Sequence, residues 1–448
     1  MGNILAIIIY LLCFLMFFVK REQKLVILLV YIICFRDVYV NHSLIINPVV
    51  FFIFSEFKYI RQYIQTPRKY NLQIFVMAIF IGCVLLVWNS PHLRSITELL
   101  EFIRSELLYK YMLLFVSLVV MKGGGTMQYL IRPVFISLLI LTLFGLHNLL
   151  FQHAIFVDWA FEGQDLNSLM ADAGDKFSGK ERFRVQAMHF NPFDYGFISL
   201  ALMMFFYYLR KERIVKPSLF VIAMFCCIFG IISCGCRTIL LCTILGFLCV
   251  YVLTHSFKRT VWITILLSIL LVLGYLYVPY IHEKLDTMVL SVFDTKMRSD
   301  VSGSSIAMRT YQLMAVLARI SGHSLMGMGY NYFVIDMGWS DGKEGLVDMD
   351  LYGLEGIYLN LLLERGFVGL LLYLFFMVVL IRIFFTYRKC DIQTSTFCLS
   401  LSIVYMVFAF MTGELSSAFI TFLLLGIGMK IHSFKSIEAE KPQISMNE

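Results

Sequence analysis

The chain has 448 residues, of which 60% are hydrophobic, 16% aromatic and only 15% charged. That composition excludes a soluble domain inside a polar shell and marks a polytopic membrane protein. The net charge of +7 needs no nucleic acid to explain it, because no basic stripe interleaved with aromatics forms an RNA or DNA groove and the lysines and arginines gather in short loops.

In chain order, apolar runs occupy 3–19, 25–40, 43–58, 73–90, 106–121, 134–153, 194–209, 217–233, 238–254, 260–279, 364–385, 395–411 and 415–431. Each is roughly 16 to 22 residues long and bounded by charge, the length a helix needs to cross about 30 Å of hydrocarbon while satisfying its own backbone. The predicted fold is all-α, a polytopic integral membrane protein with about 12–13 transmembrane helices and one large extracytoplasmic loop containing short helices. Arg36, Asp37, Asn41 and His42 interrupt the second and third runs, which are either two short spans or one long bent one. The first run resembles the apolar core of a signal peptide but lacks a basic start and a small-residue cleavage site, so it is expected to remain.

Basic residues in short loops set the orientation, because they are retained on the cytoplasmic side. That side receives the tail with Lys430, Lys435 and Lys441, and the loops carrying Arg388 and Lys389, Lys258 and Arg259, Arg210, Lys211, Arg213 and Lys216, and Lys58, Arg61, Arg68 and Lys69. Loops 91–105 and 154–193, the turn at 234–237 and the stretch 280–363 then face outward. The chain divides into N-terminal spans over 1–279, with a smaller outer loop at 154–193, then the large outer loop at 280–363, C-terminal spans over 364–431, and a cytoplasmic tail at 432–448.

The large loop is where a site has room to form, since no other part of the chain holds as many polar side chains. From 280 to 355 it has ten Asp and Glu against six Lys and Arg, so its arginines stand out. Met308 to Ile320 has apolar residues at helical spacing and reads as an amphipathic helix near the surface. Ser321–Asn331 follows as a glycine-rich stop containing Gly327 and Gly329, and Gly353–Leu370 leads back into the membrane.

Most of the eleven cysteines lie inside apolar runs as small packing residues. Cys234 and Cys236, one residue apart, would strain a disulfide and match no zinc spacing. The nine histidines form no cluster with metal-ligand spacing, and no metal or other cofactor is expected. The glycines at 123–125 lack the Lys-Ser/Thr of a phosphate loop. Loop aromatics such as Trp159, Tyr330, Trp339 and Tyr352 suit either sugar stacking or the interfacial aromatic belt.

Among the outward-facing cations, Arg237 sits in the turn between two spans, where a guanidinium either snorkels to the surface or anchors a phosphate with its planar fork. Arg182 and Arg184 precede His189-Phe190-Asn191-Pro192 at the re-entry to the membrane. Glu364 and Arg365 read as structural, marking re-entry after the large loop, and His323 reads as a solvated surface histidine.

These features together carry a resemblance. An arginine-bearing turn opening a pair of spans, an arginine-led amphipathic helix running into Gly-x-Gly, and Leu-x-x-Leu-Leu-Glu-x-Gly-x-x-Gly before the next span resemble the O-antigen ligase and polymerase superfamily of the bacterial envelope. The pattern runs from about Arg182 to Leu380, and its specificity lies in the order of motifs that are individually weak. The resemblance implies transfer of a glycan from undecaprenyl pyrophosphate, with no nucleotide sugar and no obligatory metal, at the outer face of the bacterial inner membrane.

The same resemblance places Arg184, Arg237 and Arg309 on the pyrophosphate, where fixed cations favour the charge that develops on the leaving group. Arg182, His323 and Arg319 are secondary candidates. Where ligases of the superfamily carry a His-Asn pair, this chain has Glu355 and Gly356, which makes Glu355 the candidate general base toward a sugar hydroxyl. The missing histidine favours a polymerase that joins lipid-linked repeat units into O-antigen, capsule or exopolysaccharide. A ligase acting on lipid A core or protein is the first alternative, and a lipid-linked sugar transporter the second; sparse intramembrane charge argues against transport. The implied partners are undecaprenyl-pyrophosphate glycans, membrane lipids, a chain-length regulator and a flippase.

Overall fold

A computed structural model describes residues 2–37, 47–65, 72–90, 95–115, 126–160, 184–255, 276–277, 306–330, 332, 354, 356–412 and 417–444. No strand occurs among them, and the protein is an all-α polytopic membrane protein. The helices are α1 (Gly2–Phe18), α2 (Arg21–Val30), α3 (Pro48–Gln65), α4 (Leu72–Trp88), α5 (Ile96–Phe102), α6 (Thr126–Phe151), α7 (Ile155–Ala160), α8 (Pro192–Lys211), α9 (Pro217–Ser233), α10 (Arg237–Thr254), α11 (Ile306–Arg319), α12 (Ile357–Tyr387), α13 (Ile392–Thr412) and α14 (Ser417–Ile444). Two wider-wound π-helical stretches, Tyr31–Phe35 and Ile103–Tyr111, continue α2 and α5.

Five of the described helices are long and apolar enough to cross a membrane: Met127–Phe151, Pro192–Lys211, Arg237–Thr254, Ile357–Tyr387 and Ile392–Thr412. Ile4–Phe18, Ile79–Trp88, Pro217–Ser233 and Ser417–Ser433 are shorter apolar helices. The expected span at 260–279 lies outside the described residues except for 276 and 277, as does most of the expected loop at 280–363.

The interrupted second and third runs form two antiparallel helices rather than one bent one. Glu56 of α3 takes Lys24 Nζ at 2.7 Å and Arg21 Nε at 3.0 Å from α2, and at the other end Asn47 Nδ2 donates to the Tyr31 hydroxyl at 2.5 Å. Helix α6 begins at Thr126 and continues through Pro133, which the sequence reading had placed at a boundary. Transmembrane helices tolerate proline because neighbours satisfy the freed backbone groups. Helix α14 runs past 431 to Ile444.

The centre of the bundle is α8, buried from Asp194 to Phe206 and packed on α9, α10, α13 and α14. Asn191 starts it: its Oδ1 accepts the Phe193 N–H at 2.8 Å, and Pro192 follows in the first turn. Small residues then allow close approach. A Cβ on Gly230 of α9 would stand 2.2 Å from Ser199 Oγ, and one on Gly196 would stand 2.6 Å from Cys234 Sγ.

Helices α8 and α13 are antiparallel. Phe197 in the first turns of α8 stacks on Phe408 near the end of α13 with centroids 4.5 Å apart. At the other end the Tyr208 and Thr394 hydroxyls are 3.0 Å apart. That second end carries pairings of two basic residues: Lys435 with Glu212 at 2.7 Å and with Asp391 at 3.0 Å, and Arg388 Nη2 on the Leu253 carbonyl at 3.1 Å. The first end, where α8 begins and α13 stops, holds Arg184, Arg237 and Arg309.

Candidate functional site

Arg184 and Arg237 flank one turn. Helix α9 ends at Ser233, Cys234-Gly235-Cys236 reverses the chain, and Arg237 opens α10. Gly235 has φ 65°, a left-handed conformation that suits glycine because it has no Cβ. The strand-like segment before α8 is tied to this turn by Val185 N donating to Ser233 O at 3.2 Å. The Arg184 stem covers Gly235, its Cγ lying 3.4 Å from where a Cβ would be, and its guanidinium is 6.0 Å from the Phe193 ring. Arg184 Nε is buried and has no hydrogen-bond partner among the described residues.

Arg237 is half-buried at the positive end of α10. A cation there adds to the helix dipole instead of opposing it, so the turn favours an anion electrostatically. The two thiols are free and buried. The hydrogen bond with Cys236 lowers the Cys234 thiol against the opposing effect of burial, with Arg184 contributing in the same direction.

Beside this turn lies a charge network that the sequence reading treated only as an interruption of a span. Arg36 Nη2 is 2.6 Å from Asp37 Oδ1 and 3.5 Å from Asp194 Oδ2. Asp37 Oδ2 also accepts the Phe190 N–H at 3.0 Å and lies 3.2 Å from His189 Nδ1. His189 is fully buried, and its Nε2 has no partner among the described residues. The signal was present in sequence as adjacent opposite charges inside an apolar run, which persist at membrane depth only when paired. What sequence could not supply was the partner, since Asp194 and His189 lie more than 150 positions away.

Arg309, in the first turn of α11, reaches a different helix end. Its Nη2 donates to the Met411 carbonyl at 2.7 Å and its Nη1 to Gln312 Oε1 at 3.0 Å. Carbonyls at a helix C-terminus carry partial negative charge, so a guanidinium is stabilised there. Gly356 meets the same end, its added Cβ standing 3.1 Å from the Phe410 carbonyl. Arg309 and Gly356 thus abut consecutive carbonyls of α13. Glu355 and Arg182 lie outside the described residues. Arg319 and His323 are exposed at the far end of α11, away from this contact. Arg184, Arg237 and Arg309 stand at the same end of the bundle, with Phe197 and Phe408 linking the Arg184–Arg237 turn to the Arg309 helix end.

The re-entry after the large loop is built around a charge pair. Glu106, buried in the π-helical stretch, binds Lys110 at 2.7 Å and pairs with Arg365 Nη2. Tyr330 packs over it with its hydroxyl 2.6 Å from Ser105 Oγ, and burial pushes that hydroxyl above its ordinary range. Arg365 is held in this buried pair and points into the bundle, where the sequence reads it as marking the re-entry at the surface. Among the described residues no group of three or more His, Cys, Asp and Glu is placed to hold a metal ion.

Residues 219–374 match a family model described as O-Antigen ligase. The match takes in the Cys234–Arg237 turn, α11 and the start of α12, and leaves out Arg184 and the Asp37 network. No curated protein matches the chain. The turn, the arginine-led helix and the glycine-marked re-entry fall in the matched stretch in the order read from the sequence, and over that stretch the chain is similar to the O-Antigen ligase family.

Proposed function

We propose that the protein is a polysaccharide polymerase of the bacterial inner membrane, joining oligosaccharide repeat units carried on undecaprenyl pyrophosphate at the outer leaflet. The observation that carries this reading is the placement of Arg184 and Arg237 on one turn, at the end of the bundle opposite the pairings of Lys435 and Arg388. Basic residues accumulate on the cytoplasmic side, so the arginine end faces outward in this reading.

In the proposed reaction the pyrophosphate of the growing chain lies against Arg184 and Arg237, with Arg309 nearby. The hydroxyl of the next repeat unit attacks the anomeric carbon, the glycosidic C–O bond to pyrophosphate breaks, and lipid pyrophosphate leaves with the bond's electron pair. The hydroxyl proton passes to Glu355. Arginines fixed by the turn and by the α13 end need little reorganisation as negative charge grows on the leaving group, which lowers the barrier.

One observation favours a second reading: the matched family model is described as O-Antigen ligase. In a ligase the acceptor would be lipid A core or protein in place of a lipid-linked repeat. Deleting the gene separates the two. Single repeat units on lipid A core are expected for the polymerase. Polymer accumulating on undecaprenyl pyrophosphate with none on the core would replace it by the ligase.

A further inference from the structure

Helix α11 packs Val316 and Ile320 on the protein and leaves a second, apolar arc uncovered. Its inner arc carries Gln312 and Val316, both buried, and half-buried Arg309. Its outer arc is Thr310, Tyr311, Leu313, Met314, Leu317 and Ala318, without a charged side chain. Tyr311 is 53% exposed, Met314 56% and Leu317 40%. A helix packed on a protein with water outside presents charged residues on that arc. Here the outer arc is apolar apart from Thr310, while Arg309 and Gln312 share the inner arc with Val316 and Ile320.

The chain that follows ties this arc to the membrane belt. Phe367 N donates to Ser324 O at 2.9 Å and Val368 N to Leu325 O at 3.1 Å, so the turn after α11 sits on α12 where that helix begins its apolar run. Along α12 the outward residues Phe367, Leu371, Phe375 and Val378 are exposed, as the lipid-facing side of a spanning helix must be. Leu325 is 65% exposed beside them. Trp88, 87% exposed, precedes Asn89, whose Nδ2 donates to Gly327 O at 2.6 Å. Leu325 therefore joins the exposed side of α12 through the turn that follows α11.

We propose that α11 is an interfacial helix, with Tyr311, Met314 and Leu317 seated in the headgroup and acyl boundary of the bilayer on the arginine side of the protein. A lipid surface is the occupant selected by the attachment of the turn after α11 to the exposed apolar side of α12. The composition agrees: apolar residues with an aromatic ring on the lipid-facing arc, and Arg319 at the exposed end within reach of headgroup phosphates. The helix then fixes the depth of Arg309, on its inner arc, at the level of the headgroups.

The test uses the full chain reconstituted in phosphatidylethanolamine and phosphatidylglycerol vesicles. Cys390, the exposed native cysteine among those described, is replaced by serine, and nitroxide labels are placed at Met314→Cys and Leu317→Cys, with Leu371→Cys as the bilayer reference. Collision with oxygen is compared with collision with a water-soluble nickel chelate. Oxygen exceeding the chelate several-fold at 314 and 317, as at 371, is the expected result. A chelate preference at both positions would mean that the arc faces water, and protection from both reagents would mean that another part of the chain covers it. Either result overturns the proposal. The readout needs no glycan transfer, so it stands or falls separately from the polymerase reading.

Discussion

Gly327 and Gly366 pack backbone against backbone. Both have positive φ, 72° and 61°. A Cβ on Gly327 would stand 2.5 Å from Arg365 N, and one on Gly366 would stand 2.5 Å from the Leu325 carbonyl. Met328 N donates to Leu363 O at 2.8 Å and Gly329 N to Glu364 O at 2.9 Å across the same joint. The Gly-x-Gly after α11 and the Glu-x-Gly within α12 are therefore two halves of one contact, and it sets where α11 and Arg309 sit.

Alanine at either glycine has to leave the left-handed region or push the facing backbone away. Gly327→Ala and Gly366→Ala are each expected to destabilise the protein by about 2 kcal/mol or more. Thermal unfolding in detergent reads this directly, with transfer activity falling in step. An unchanged midpoint in both variants would mean that the joint yields without strain.

Arg237→Ala and Arg309→Ala remove charge without shortening a span, so each should abolish polymer while membrane insertion is kept. Losing a fixed donor to a developing anion lowers turnover by about 100-fold or more. Glycan ladders on gels report the outcome, and wild-type ladders from both variants would sink the pyrophosphate-binding role. Arg309→Lys should act as a partial loss, because a lysine keeps the charge but cannot reach Met411 O and Gln312 with a planar fork.

The buried triad gives an ordered pair of effects. Glu106→Gln leaves Arg365 and Lys110 without their shared carboxylate, whereas Arg365→Met leaves Glu106 still paired with Lys110 at 2.7 Å. Breaking a buried pair and stranding a charge costs about 3–5 kcal/mol, so Glu106→Gln is expected to be the more damaging. Unfolding midpoints of the two purified variants decide the order, and equal or reversed values would show that Lys110 does not hold the carboxylate when Arg365 is gone.

Glu355→Gln keeps the size of the side chain and removes the proton acceptor. Polymer should be lost with expression and insertion unchanged. Full activity in that variant would rule out Glu355 as the base.

Much of the architecture was legible because hydrophobic length is a local property: the helices at 192–211, 217–233, 237–254 and 392–412 begin and end within about three residues of the apolar runs, since charge at a span's end is expensive to bury. The amphipathic helix and the stop after it were equally readable from spacing. The re-entry was less so. Its helix starts at Ile357 and bends at Gly366, because the apolar run begins only where the chain has already become helical.

By itself the sequence determined the all-helical membrane class, the candidate arginines and the glycine motifs, all of which depend on neighbours in the chain. Tertiary structure decided what those residues touch. It set Arg184 over the turn that leads to Arg237, gave Arg309 to the end of α13, matched Gly327 to Gly366, and joined Asp37 to His189 and Arg36 to Asp194. The physical reason is that hydrophobicity and helix length are summed along a few turns of chain, while a buried charge or a missing Cβ acquires its meaning from a partner far away in sequence.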